Sequence, residues 1–162
     1  EIAAEYKRLV GTVNGAAVRD LINKVLVESS ATSIRSGGGV YYVPRDYAQI
    51  ADGLEHLAAA ITGTMVHSVP LPDDRKQRAM LAEAFEDEAR TQVEQLAAEL
   101  AVLLKAGADV TGAQYGALAA RYRKLTAKAD QYAIMLRTNL GATTASLEVL
   151  DMQMRLLAGK AA

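Results

Sequence analysis

Leu81-Ala-Glu-Ala-Phe-Glu-Asp-Glu-Ala-Arg-Thr-Gln-Val-Glu-Gln-Leu-Ala-Ala-Glu-Leu100 and Tyr115-Gly-Ala-Leu-Ala-Ala-Arg-Tyr-Arg-Lys-Leu-Thr-Ala-Lys-Ala-Asp-Gln-Tyr-Ala-Ile-Met-Leu136 decide how this chain folds. In the first, apolar or small residues recur at Ala82, Phe85, Ala89, Val93, Leu96 and Leu100, and the series runs on to Leu103. In the second they recur at Tyr115, Leu118, Tyr122, Leu125, Ala129, Tyr132 and Leu136. Steps of three and four residues put each series on one helix face, as a heptad seam. Folding the chain back at Lys105-Ala-Gly-Ala-Asp-Val-Thr111 matches the two series layer by layer. Leu103 meets Tyr115, Leu100 meets Leu118, and Leu96 meets Tyr122. Val93 then meets Leu125, Ala89 meets Ala129, Phe85 meets Tyr132, and Ala82 meets Leu136. The pattern predicts a long antiparallel helical hairpin.

The ends and the charges agree with it. Asp73 and Asp74 bring negative charge to the start of the first helix, after Pro70 and Pro72. Gly107 follows Lys105 as a helix stop, and Thr111 with Gln114 has capping-box spacing. Residues 73–105 hold eight acidic and five basic side chains, whereas 112–162 hold three and seven. In the folded-back register Glu94 lies near Arg121, Arg123 and Lys124, and Glu86, Asp87 and Glu88 lie near Lys128. Opposite signs flanking a seam select one pairing over others.

Beyond the hairpin, the apolar rhythm shifts at Gly141 and resumes at Leu147, Leu150, Met154 and Leu157. A shift of this kind resembles a four-residue insertion in a heptad repeat. The helix is expected to bend there or to continue with its apolar face rotated. Those four residues are therefore the expected partner-binding surface, to be met by the N-terminal part of this chain or by another copy, with Ala97, Ala101 and Leu104 as a small-residue edge on the preceding helix. Contiguous exposed apolar surface marks interfaces, so a homo-oligomer is expected, a two-fold dimer first.

Residues 1–72 predict a small α+β head, and 73–162 the hairpin with its C-terminal helical extension. In the head, Ile2–Val10 reads as a short helix, and Asn14 caps a second from Gly15 to Glu28. Ile34 and Val40-Tyr-Tyr-Val43 flank three glycines, which predicts a β-hairpin closed by Pro44. A helix follows over 46–61, stopped by Gly63, and Thr64–Leu71 reads as a third strand. The fold class is α+β, mostly helical.

The run Ser36-Gly-Gly-Gly-Val-Tyr-Tyr-Val-Pro44, with a helix before it and a long helical tail after, resembles uncharacterised proteins of actinobacterial phages. The resemblance covers about half the chain. It implies a phage origin and a place in the host cytoplasm, and carries no activity.

Composition narrows the function classes. Half the chain is hydrophobic by count (51%), but alanine supplies much of this and there is one Phe and no Trp, which suits slim helical packing. A net charge of −1 exerts no global pull on nucleic acid or anionic membranes. Without cysteine there is neither disulfide framework nor thiol chemistry. No apolar run approaches a membrane span, and no signal peptide is visible. The chain starts at Glu1 inside an amphipathic pattern, which reads as a segment of a longer protein.

Motifs for chemistry are weak. Gly37-Gly38-Gly39 feeds a strand, not the helix that a phosphate loop feeds. His56 and His67 lack metal-ligand spacing, and Glu86-Asp87-Glu88 fans out around a helix. No catalytic residue, metal or cofactor is expected. Arg121, Arg123, Lys124 and Lys128 form the best phosphate-contacting run. A second set is Arg35 and Arg45 beside the hairpin, with Arg19 and Lys24 on the preceding helix, as in a winged helix lacking its helix-turn-helix. The expectation is a non-enzymatic assembly or partner-binding protein acting through helical surfaces, the alternative being a nucleic-acid-binding accessory protein.

Overall fold

A computed structural model describes residues 15–35, 38–61, 64–106 and 111–159. The expected helix Ile2–Val10, the Asn14 cap, and the glycines at 37, 63 and 107 lie outside the described residues. The chain divides into two compact units, with the main boundary between Leu71 and Pro72. It is mostly helical with a small antiparallel two-stranded sheet.

In the first unit, α1 (Gly15–Glu28) precedes strands β1 (Thr32–Ser33) and β2 (Tyr41–Tyr42). A 3-10 turn (Arg45–Tyr47) then leads into α2 (Ala48–Ala59). Helix α1 ends without glycine. Ser30 takes the left-handed conformation (φ 53°), Ala31 N donates to Leu26 O at 3.0 Å, and buried Ser29 donates its hydroxyl to Val25 O and Leu26 O. The six-to-one bond from Ala31 to Leu26 is a Schellman stop, with those same two residues in contact inside the core. Leu26, Ala31 and Leu54 form that core, and Ile22, Val25, Tyr41, Ile50 and Val66 pack against it. The β-hairpin turns at Gly38 and Gly39, whose φ values of 81° and 89° exclude side chains at low cost.

Thr64–Leu71 is not a third strand; it has no regular secondary structure and joins no sheet. Its β-forming residues are interrupted by Pro70 and find no strand edge. One anchor is side chain to backbone instead: Ser68 N donates to the Glu55 carboxylate on α2.

The second unit is a three-helix bundle of α3 (Arg75–Ala106), α4 (Gly112–Leu136) and α5 (Gly141–Ala158). Asp74 caps α3 from just outside the helix, its Oδ1 accepting from Gln77 N at 2.9 Å, while Asp73 pairs with Arg78 at 2.5 Å. The capping box at α4 forms as its spacing predicts: Thr111 Oγ1 accepts from Gln114 N, and Gln114 Oε1 accepts from Thr111 N. The α3–α4 pairing is present in the expected register. Phe85 and Tyr132, both fully buried, stack with centroids 4.6 Å apart, and Ala89 and Ala129 are buried next to them. At the Leu136 end, Leu81 is buried more deeply than Ala82.

The extension departs from expectation. The chain neither bends at Gly141 nor runs on past it. Helix α4 stops four residues earlier, at Arg137, which adopts φ 51°. Arg137 N donates to Ile134 O and Thr138 N to Ala133 O, each at 3.2 Å, a second Schellman stop without glycine. The four residues 137–140 reverse the chain, so α5 runs back along α4 and packs against both α3 and α4. Leu147, Leu150, Met154 and Leu157, expected to meet a partner, are buried in this bundle together with Thr143. Their stripe is the third side of an internal core, because a turn rather than a continuous helix delivers it there.

Candidate partner-binding surface

Burying one stripe does not exhaust α5. A second series, Ala142, Ala145, Val149, Met152 and Leu156, also steps by three and four. At 100° per residue it lies about 140° around the helix from the buried stripe. It faces outward: Val149 is 49%, Met152 59% and Leu156 64% exposed, and both alanines are exposed. One helix thus carries two heptad seams, of which the bundle covers one. Glu148 and Arg155 border the outer seam on one side, and Ser146 and Gln153 on the other.

On the Glu148 side the surface descends into a groove of about 500 Å³ between α4 and α5. Tyr122, Thr126 and Asp130 line it from α4, and Glu148, Asp151 and Arg155 from α5. Tyr122 donates its hydroxyl to Leu147 O at 3.5 Å across the floor. Arg155 Nε binds Asp151 Oδ2 at 2.7 Å. Three carboxylates against one guanidinium make the groove acidic, and Met152 on its rim joins it to the outer seam.

Two of the four cations of the basic run on α4, Arg121 and Lys128, pair with carboxylates on α3, and only Lys128 is substantially buried. Arg121 pairs with Glu99 at 2.6 Å. Glu99, five residues further along α3, takes the place expected for Glu94. Lys128 reaches Glu88 at 2.7 Å, as the charge pattern predicts, and lies over the Phe85 and Tyr132 rings at 5.9 and 5.7 Å. Glu88 Oε1 also accepts from Gln92 Nε2, whereas its Oε2 is buried without a hydrogen-bond partner. Burial lowers the Lys128 pKa from the ordinary lysine value; the Glu88 carboxylate opposes this, and nearby Lys124 adds to it. Arg123 and Lys124 are exposed, and Arg123 Nε donates to Ala119 O. Arg35 is exposed, its carbonyl accepting from Ser33, and exposed Arg45 lies in the 3-10 turn of the other unit. Arg19 and Lys24 are exposed on α1.

In the head, the Ser68 N–H first, then the Ser68 side chain, hold the Glu55 carboxyl below the usual glutamate range; His67 and His56 contribute less. No group of three metal-ligating side chains converges, and no helix is long and apolar enough to cross a membrane, among the described residues.

The sequence reading missed the outer seam, though its three-four rhythm is in the chain. Two of its five positions are alanine, and it interleaves with a stronger leucine series on the same helix. Residues 1–162 match the model of a family of unknown function, DUF6744, and the chain belongs to that family. No curated protein and no solved structure matches it.

Proposed function

We propose that this member of the DUF6744 family is a non-enzymatic assembly protein that binds another polypeptide through the outer face of α5. The supporting observation is the second heptad seam, with three large apolar side chains each about half or more exposed on one helix. Isolated exposed apolar residues are ordinary, but a contiguous stripe at heptad spacing is what a partner helix reads. The acidic groove along α4 and α5 supplies polar selectivity at its border. On the resemblance of the Ser36–Pro44 run, this reading includes a phage origin and action in the host cytoplasm.

A photo-crosslinking side chain placed at Val149 or Leu156 tests it in the native setting. Each should yield a discrete covalent adduct with a protein, whether another copy or a different chain. The same group at exposed Glu83 on α3 should yield none. Met152→Glu should abolish the adducts. Absence of adducts at both seam positions would overturn the reading.

A further inference from the structure

We propose that the occupant of the outer α5 seam is α5 of a second copy, antiparallel about a two-fold axis passing between Leu150 and Asp151. The inference rests on the partner-binding reading and names the partner. Its basis is charge complementarity in a register that this chain already uses internally.

In the α3–α4 pair, the register set by the Phe85–Tyr132 stack places Leu100 level with Leu118, both buried. The Glu99–Arg121 ion pair flanks that layer. Its carboxylate lies one residue before the layer on one helix, and its guanidinium three residues after it on the other. The outer face of α5 repeats this arrangement against itself. With Val149 level with Met152 of the second copy, Glu148 lies one residue before Val149, and Arg155 three residues after Met152. The two therefore flank the layer as Glu99 and Arg121 do. Two-fold symmetry makes the pair twice.

The remaining layers fit as well. Ala145 falls level with Leu156, small against large, which lets side chains interdigitate. Ala142 falls level with Gly159, where neither residue keeps the backbones apart. Ser146 and Gln153 border the other side and bring no charge. A parallel pair instead sets Glu148 beside Gln153 and loses the ionic complement. Arg155 already pairs with Asp151 on its own helix, and its side chain is 80% exposed, so it can reach a second carboxylate.

Sedimentation of the full chain and its charge variants tests the register. The intact chain should be dimeric at tens of micromolar. Glu148→Arg or Arg155→Glu should each weaken association roughly tenfold, because two exposed ion pairs become repulsions. The double variant E148R/R155E should recover most of the affinity. Melting temperatures should change little, since none of these side chains is buried in the core. Direction is read by disulfides in a chain that has no cysteine. Mixing V149C with M152C chains should give the mixed disulfide; homodisulfides alone would indicate parallel pairing and overturn the proposal. A monomer at high micromolar concentration would also overturn it, as would a dimer indifferent to Glu148→Arg. If photo-crosslinks at Val149 or Leu156 then capture a different protein, the partner-binding reading stands while this inference falls.

Discussion

The bundle and the head are held by different kinds of contact. In the bundle, three helices share one repeating core, from Leu81, Phe85, Leu96 and Leu100 through Leu118, Leu125 and Leu136 to Leu147 and Leu157. The head rests on the small cluster of Leu26, Ala31 and Leu54, plus single hydrogen bonds that occur once each. Repetition therefore sets the bundle apart, whereas the head combines one small apolar cluster with hydrogen bonds of several different kinds.

The largest effect that tests this contrast is core truncation. Phe85→Ala or Leu100→Ala should cost about 3–5 kcal/mol, measured by denaturant unfolding of the full chain. Leu54→Ala should cost a comparable amount for its own unit but leave α3–α5 amide protection unchanged in hydrogen exchange. Equal loss of protection across both units in the Leu54 variant would contradict the division.

A smaller effect is expected at the half-buried ion pair. Lys128→Met strands Glu88, whose second oxygen already lacks a partner, and should cost about 2–3 kcal/mol. Replacing both, as Glu88→Leu with Lys128→Met, should recover most of that loss, because a buried pair exchanged for apolar side chains is close to neutral. The pair also has a pH signature. Burial lowers the Lys128 pKa in the fold, so the folded chain releases that proton before the unfolded chain does. Stability should therefore gain an increment as pH rises through the window just below the ordinary lysine value, and Lys128→Met should remove it.

Smaller still are the two helix stops. Arg137→Gly and Ser30→Gly relieve a left-handed residue, at the cost of extra freedom in the unfolded chain. Each should be neutral to stabilising by about 1 kcal/mol, whereas Arg137→Val should destabilise by about the same amount. The smallest expected signal lies in the head. Protonating Glu55 removes the charge that strengthens the bond from Ser68 N, so the Ser68 amide shift should titrate with a midpoint below the usual glutamate value. Glu55→Gln should abolish that titration.

What was legible in the chain follows the same division. The Phe85–Tyr132 layer, the Lys128–Glu88 pair and the Thr111–Gln114 capping box each follow from spacing, because a helix converts spacing into proximity. The turn at Arg137 does not. Left-handed stops are signalled by glycine or asparagine, and here arginine and serine take the position. With that turn hidden, the Leu147–Leu157 stripe looked unpartnered, and the outer stripe behind it went unseen. Thr64–Leu71 failed for another reason. Its β-forming residues describe a local preference, but a strand exists only where an edge accepts it.

On the proposed reading α5 has one face for its own bundle and one for another chain, and adjacent residues separate the two. Leu156 is 64% exposed and Leu157 is 0% exposed. Sedimentation and thermal melting of Leu156→Glu and Leu157→Glu measure this directly. Leu156→Glu should abolish association and leave the melting temperature of the protomer close to that of the intact chain. Leu157→Glu, which puts a carboxylate into the buried face, should lower the melting temperature sharply. Association unchanged in Leu156→Glu, or a melt unchanged in Leu157→Glu, would contradict the assignment of the two faces.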